Sequence, residues 1–185
     1  MKLTIVITST RPGRVGKAVA DWFEGYAKEH APHLEVAVAD LKEIDLPLYD
    51  EPRHPMLQDY EHAHTRRWSE IVEQSDAFVF VLPEYNHTAP PTFFNALDYL
   101  YKEWNFKPAG FVSYGGISGG IRAVETARHT VSTMEMVPVK QQVLIPMVGE
   151  HLHDGVFHPT DMHTQSAQTL VEMIGRWATA LKTMR

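Results

Sequence analysis

The six consecutive apolar residues Ala77-Phe78-Val79-Phe80-Val81-Leu82 constrain the fold most. An unbroken run of this length, β-branched and aromatic in character, reads as a buried strand. It passes directly into Pro83-Glu84-Tyr85-Asn86-His87-Thr88-Ala89-Pro90, a polar loop, and then into a helix-like stretch from Thr92. The loop therefore stands at the carboxyl end of a strand. In open α/β sheets ligands bind in that crevice, which makes this loop the first binding-site candidate.

Around that run the chain alternates in type. Lys2–Ile7 reads as a first strand, and from Val15 the apolar positions Val19, Trp22/Phe23 and Tyr26/Ala27 recur at helical spacing until Pro32. Leu34–Ala39 reads as a second strand, and about 61–75 as a helix with Trp68, Ile71 and Val72 on one face. After Ala77–Leu82 a third helix runs to about Trp104, followed by a strand at Pro108–Ser113, a helix carrying Ala123/Val124, Ala127 and Val131, and a strand at Gln142–Ile145. A last helix carries Leu170, Ile174, Trp177 and Leu181. Strands alternating with helices predict one α/β domain over residues 1–185, a parallel sheet covered by helices on both faces. Five strands favour the flavodoxin-like three-layer order 2-1-3-4-5 over a six-stranded dinucleotide fold. The loops after strands one, three and four then share the carboxyl edge.

Composition narrows the function. There is no cysteine, so disulfides, thiolate catalysis and cysteine-ligated metal are excluded, and redox chemistry requires a bound cofactor. A formal net charge of −6 gives no support to a nucleic-acid role. No apolar run approaches the roughly 20 residues of a membrane span, and the N-terminus has no secretory pattern; the expectation is a cytoplasmic protein without a membrane partner. Close histidine pairs, His62/His64 and His151/His153, do not match a zinc-binding HExxH helix, so no metal site is predicted.

The first twenty residues run against the overall charge, with Lys2, Arg11, Arg14 and Lys17 and no carboxylate. A Walker A loop is ruled out because Arg11 and Ala18 stand where glycine and Ser or Thr are needed. A GxGxxG fingerprint is only half present, at Gly13-Arg14-Val15-Gly16. What remains is three hydroxyls, Thr8, Ser9 and Thr10, with two arginines before a helix N-terminus, a pattern suited to a terminal monophosphate. Further on, Tyr114-Gly115-Gly116-Ile117-Ser118-Gly119-Gly120 lets backbone approach a ligand closely.

Taken together, Ser9-Thr10-Arg11, Pro83-Glu84-Tyr85-Asn86-His87 with Pro90 and Asn95-Ala96-Leu97-Asp98, and Ser113 to Gly120 resemble the NADPH-dependent FMN reductase family of flavodoxin-like quinone and azo reductases. The resemblance implies FMN as cofactor and NAD(P)H as co-substrate. Ser9, Arg11, Arg14 and the amides near Val15 and Gly16 would hold the FMN phosphate. Pro83, Glu84, Tyr85 and Asn86 would line the isoalloxazine, their amides reaching its polar edge, and Tyr114, Gly115, Gly116 and Ser118 would approach its other side. Hydride would pass from NAD(P)H to flavin N5 and electrons onward to a small-molecule acceptor: a quinone, an azo compound, free flavin or similar. No catalytic side chain is required. Family members are commonly homodimers or homotetramers, and the wide apolar surface of the third helix, with Phe93, Leu97, Leu100 and Trp104 beside Phe94 and Tyr101, is expected to meet a second subunit in part. Two positions depart from the family: Thr8 stands for a glycine and must adopt its backbone conformation, and Phe94 stands for a lysine. The alternatives are a flavodoxin-like electron carrier and a cofactor-free binding or regulatory protein.

Overall fold

A computed structural model describes residues 1–185. Its five parallel strands, β1 (Lys2–Ile7), β2 (Glu35–Asp40), β3 (Ala77–Pro83), β4 (Pro108–Tyr114) and β5 (Val137–Ile145), lie in the order β2-β1-β3-β4-β5. The flavodoxin-like order expected from the alternation is thus the observed one. β3 and β4 are buried at every residue, which explains their unbroken apolar character.

Helices cover both faces. On one, α1 (Gly16–His30) and α6 (Asp161–Leu181) enclose Ile5, Ile7, Phe23, Val79, Val143 and Ile174. On the other, α3 (Ala63–Glu73), α4 (Pro91–Asp98) and α5 (Ile121–Thr133) enclose Phe78, Phe80, Trp68, Phe93, Trp104 and Phe111. The short α2 (Leu41–Ile44) follows β2, and β6 (Leu152–His153) with β7 (Val156–Phe157) forms a small antiparallel hairpin.

The third helix is shorter than its apolar stripe predicts. It ends at Asp98 and is followed by a separate 3₁₀ turn at Lys102–Trp104. Its last carbonyls have other partners: Trp68 Nε1 donates to Ala96 O at 2.8 Å, and Trp104 Nε1 to Leu97 O at 3.3 Å. Two indoles thereby satisfy carbonyls that a continuing helix would use. The stripe itself faces inward, with Phe93, Leu97, Leu100 and Trp104 all buried within the chain. Only Phe94 and Tyr101 are left part-exposed.

β5 starts five residues earlier than expected. Its register against β4 shifts between Ala109 and Phe111, and it carries Pro138, tolerated because β5 is an edge strand.

Candidate functional site

Strand register brings three loops to one edge. Pro83 on β3 stands opposite Tyr114 on β4, and the Glu84 amide donates to Tyr114 O at 3.2 Å. Thr8, just beyond β1, donates through Oγ1 to Val81 O at 2.8 Å and accepts at its carbonyl from Thr92 Oγ1 on α4. Thr8 is fully buried and is not among the residues with positive φ. It therefore takes no glycine-like conformation, and its hydroxyl serves as a rivet between β1 and β3. The strain expected at this position is absent.

The loop from Ser9 to Val15 leaves its donors free. The amides of Thr10, Arg11, Gly13 and Val15 have no acceptor in the chain, and α1 begins without a side-chain cap or an acidic residue in its first turn. Ser9 is fully buried, and its Oγ has no hydrogen-bond partner. Buried hydroxyls are almost always satisfied, so this orphan and the uncapped helix end together describe a place for an anion. A cavity of about 170 Å³ opens there, bordered by Arg11, Gly13, Arg14, Val15, Tyr85 and Tyr114.

The two arginines differ in what they hold. Arg11 makes no hydrogen bond or ion pair through its side chain and remains available to a ligand. Arg14 is engaged: its guanidinium meets both Asp40 oxygens at 2.5 Å and Ser9 O at 2.7 Å, and both partners are nearly buried. Asp40 gives this pairing because β1–β2 register sets it beside Ile7, where the loop begins. Arg14 thus braces the loop from behind. Sequence reading missed Asp40, whose only signal was its place at the end of the strand next to β1.

Gly16 is fixed by space. A Cβ there would lie 2.3 Å from Ser9 Oγ and 2.5 Å from the Tyr114 hydroxyl. Tyr114 is buried, and burial pushes its phenol pKa well up. The phenol is a neutral wall of the cavity.

The loop after β3 folds as a tight hairpin. Tyr85 and Thr88 exchange backbone hydrogen bonds at 3.0 Å each, and Asn86 (φ 50°) and His87 (φ 66°) both lie in the left-handed region, as a type I′ turn requires. The donor pattern differs from the expected one. Pro83 has no N–H, and the Glu84 and Tyr85 amides are already used, so the free amides are those of Asn86 and His87.

Glu84 is structural in this arrangement. Its side chain is 6% exposed and accepts from Ser118 Oγ (3.1 Å), the Arg122 amide (3.2 Å) and Arg122 Nε (2.7 Å). Burial raises its pKa, but the Arg122 and Ser118 bonds outweigh burial and hold the carboxyl below the ordinary range. Arg122 is the second partner that sequence reading missed; it lies 38 residues away, on the first turn of α5.

In the glycine-rich loop the glycines divide by cause. Gly119 (φ 59°) and Gly120 (φ 87°) are needed by the backbone, and a Cβ on either would meet atoms at 2.9 Å. Gly116 has no such need: φ is ordinary and no atom lies within 4 Å of where a Cβ would be. The carbonyls of Gly115 and Gly116 accept from Val148 N (3.0 Å) and Met147 N (2.8 Å). Of the sequence-predicted residues, Arg11, Arg14, Val15, Tyr85 and Tyr114 border one cavity, with Ser9 and Gly16 directly behind it. No group of three His, Cys, Asp or Glu side chains is arranged to hold a metal.

Residues 1–150 match the family model described as NADPH-dependent FMN reductase. An NAD(P)H-dependent FMN reductase of Nectria sp is 33% identical over 168 residues, covering 84% of this chain and 82% of that protein. A quinone reductase of Pseudomonas putida is 33% identical over 98 residues, half of each chain. Among solved structures, a flavoenzyme NAD(P)H:(acceptor) oxidoreductase of Paracoccus denitrificans superposes with a TM-score of 0.70 over 98% of this chain and 97% of its own, at 19% identity. With the family model spanning most of the sequence and a relative at this identity matched over most of both chains, the chain belongs to the NADPH-dependent FMN reductase family.

Proposed function

We propose that the three loops at the carboxyl edge hold FMN, with its phosphate at Ser9–Gly16, and that the protein passes electrons from NAD(P)H to a small-molecule acceptor such as a quinone. The buried, unpartnered Ser9 Oγ carries this reading: beside four free amides and an unpaired Arg11, it is a donor waiting for an anion. When bound, the flavin supplies hydride acceptance and electron release. The chain contributes orientation. Arg11 and the loop amides fix the phosphate, Asn86 and His87 offer amides to the polar edge of a ring, and Tyr85 borders the cavity beside them. No side chain at this edge is placed as a general acid or base, since Glu84 is bound by Arg122 and Tyr114 is a raised, neutral phenol. Family membership and the partial match to a quinone reductase support a quinone acceptor; azo compounds and free flavin belong to the same proposal.

The test is spectroscopic. Purified protein with FMN should lose its flavin absorbance on addition of NADPH alone, and regain it on addition of a benzoquinone. Bleaching only with a separate reductase would make the protein a flavodoxin-like carrier, and failure to bind FMN a binding or regulatory protein.

We also infer a homodimer, or a homotetramer built from it, through the long connection after α2 rather than through the main stripe of α4. Leu48 (84%), Leu57 (67%) and Met56 (48%) are exposed there, next to the part-exposed Phe94 and Tyr101. Asn95 holds the backbone on both sides of Leu48, accepting from Tyr49 N at 2.9 Å and donating to Pro47 O at 2.7 Å. Large apolar residues exposed together on one connection mark an interaction surface. Light scattering should give an oligomer for the native chain and a monomer for Leu48→Asp; a native monomer at micromolar concentration would remove this reading.

A further inference from the structure

The helix α6 is closed at its N-terminus by a capping box of unusual chemistry. Thr160 Oγ1 accepts from the His163 amide at 3.4 Å, and His163 Nδ1 accepts from the Thr160 amide at 3.1 Å. Glu or Gln normally fills the third helical position of such a box. An imidazole nitrogen accepts only while it carries no proton, so this box exists only when His163 is neutral.

The surroundings favour the neutral form. His163 is 4% exposed; burial lowers its pKa first, and the field of His151 lowers it further. The rings of His151 and His163 lie 4.9 Å apart at 86°. The other ring packed against His163 does not titrate: Phe157 on β7, with Trp22 of α1 against it. Asp161, on the first turn of α6 itself, points to solvent. His151 is thus the titratable group whose field His163 feels.

His151 also links this cluster to the cofactor edge. It closes the 3₁₀ turn Val148–His151, and its carbonyl accepts from His158 N at 2.8 Å. At the other end of the turn, Val148 and the preceding Met147 are the residues bonded to Gly115 O and Gly116 O. Only Gly149 and Glu150 therefore separate His151 from Val148, which is bonded to a wall of the proposed flavin site.

We propose that the Thr160–His163 box is a proton-operated latch: a proton on His163 withdraws the acceptor, sets it against His151, and releases the segment 147–158 from the Gly115–Gly116 loop. The latch stands on this segment alone; only its effect on cofactor binding rests on the function proposed above. Because the folded state disfavours protonation, the latch is fully closed above the ordinary histidine value of 6.5 and opens as pH falls below it.

Hydrogen exchange on the native protein, corrected for intrinsic rates, tests this at pH 7.5 and 5.5. Protection of residues 147–164 should fall with pH, by at most about tenfold per pH unit for one proton. His163→Gln retains an acceptor for Thr160 N but cannot titrate, and should keep protection at both pH values. FMN titration of both proteins separates the two readings: pH-dependent exchange without FMN binding leaves the latch and removes the flavin site. Equal protection of the native chain at both pH values would overturn the latch, as would an unchanged pH response in His163→Gln. Should that variant fail to fold, the native His163 ring can be titrated by NMR; a midpoint below 6.5 that rises in His151→Gln supports the latch, and one at or above 6.5 overturns it.

Discussion

Glu84 and Arg122 join the loop after β3 to the first turn of α5, with Arg122 Nε 2.7 Å from a carboxylate that is 6% exposed. This ion pair holds two walls of the site together, so its loss acts on shape rather than on chemistry. Glu84→Gln should cost about 1–2 kcal/mol, at the lower end for a charge-assisted bond because Arg122 is half-exposed. The folded carboxyl is held below its ordinary 4.5, so the stabilisation is present above that value and is lost as pH falls through the folded pKa. Urea denaturation of both proteins at pH 7 and pH 3.5 checks this; a difference that does not shrink at the lower pH would mean the charge of Glu84 is not involved.

Arg11 and Arg14 lie three residues apart and should fail differently. Arg11→Ala removes a free cation and should weaken FMN by about ten- to a hundredfold, the value of a charge-assisted contact, while leaving the apo-protein's melting temperature unchanged. Arg14→Ala leaves the nearly buried Asp40 carboxylate and Ser9 O without their partner. It should destabilise the apo-protein itself by about 2–4 kcal/mol. Thermal melts without flavin, beside fluorescence titrations with it, distinguish bracing from binding.

Gly16 and Gly116 provide a similar contrast in the backbone. Gly16→Ala drives a Cβ into Ser9 Oγ and the Tyr114 hydroxyl and should lower both stability and FMN affinity. Gly116→Ala meets nothing and needs no unusual φ, so stability should stay within about 0.5 kcal/mol of the native protein. If a flavin ring approaches Gly116, affinity should nevertheless fall. Unchanged affinity in isothermal titration would place the ring elsewhere.

The parts legible in the sequence were those set by local pattern. Ala77–Leu82 announced a central strand because burial on both faces leaves no alternation, and hydroxyls beside arginines announced an anion loop because both act through near neighbours in the chain. Contacts across the sheet were not legible. Asp40 meets Arg14 only through β1–β2 register, and Arg122 reaches Glu84 only once β3 and β4 are paired. The end of α4 was hidden for the same reason: the stripe Phe93, Leu97, Leu100, Trp104 is apolar throughout, and the indole of Trp68, on another helix, helps stop the helix at Asp98. Likewise the free amides of the binding loop fall at Asn86 and His87, not at Glu84 and Tyr85, because a two-residue turn consumes the earlier donors.

Lys107 governs stability on the alkaline side. Its Nζ donates to Val72 O at 2.8 Å and Glu73 O at 3.1 Å, closing the C-terminus of α3, and only 3% of the residue is exposed. Burial lowers its pKa from 10.5 to about 8. The unfolded chain therefore binds the proton more tightly, and stability should rise with pH between about 8 and 10.5, by up to about 3 kcal/mol. The phenols of Tyr60, Tyr99 and Tyr114 are shifted upward, so their opposing loss of stability begins only near the ordinary tyrosine value of 10.0. Guanidinium denaturation of the native chain at pH 7.5, 8.5 and 9.5 should show the rise. Lys107→Met should flatten it, and a slope that persists in the variant would assign the effect to another group.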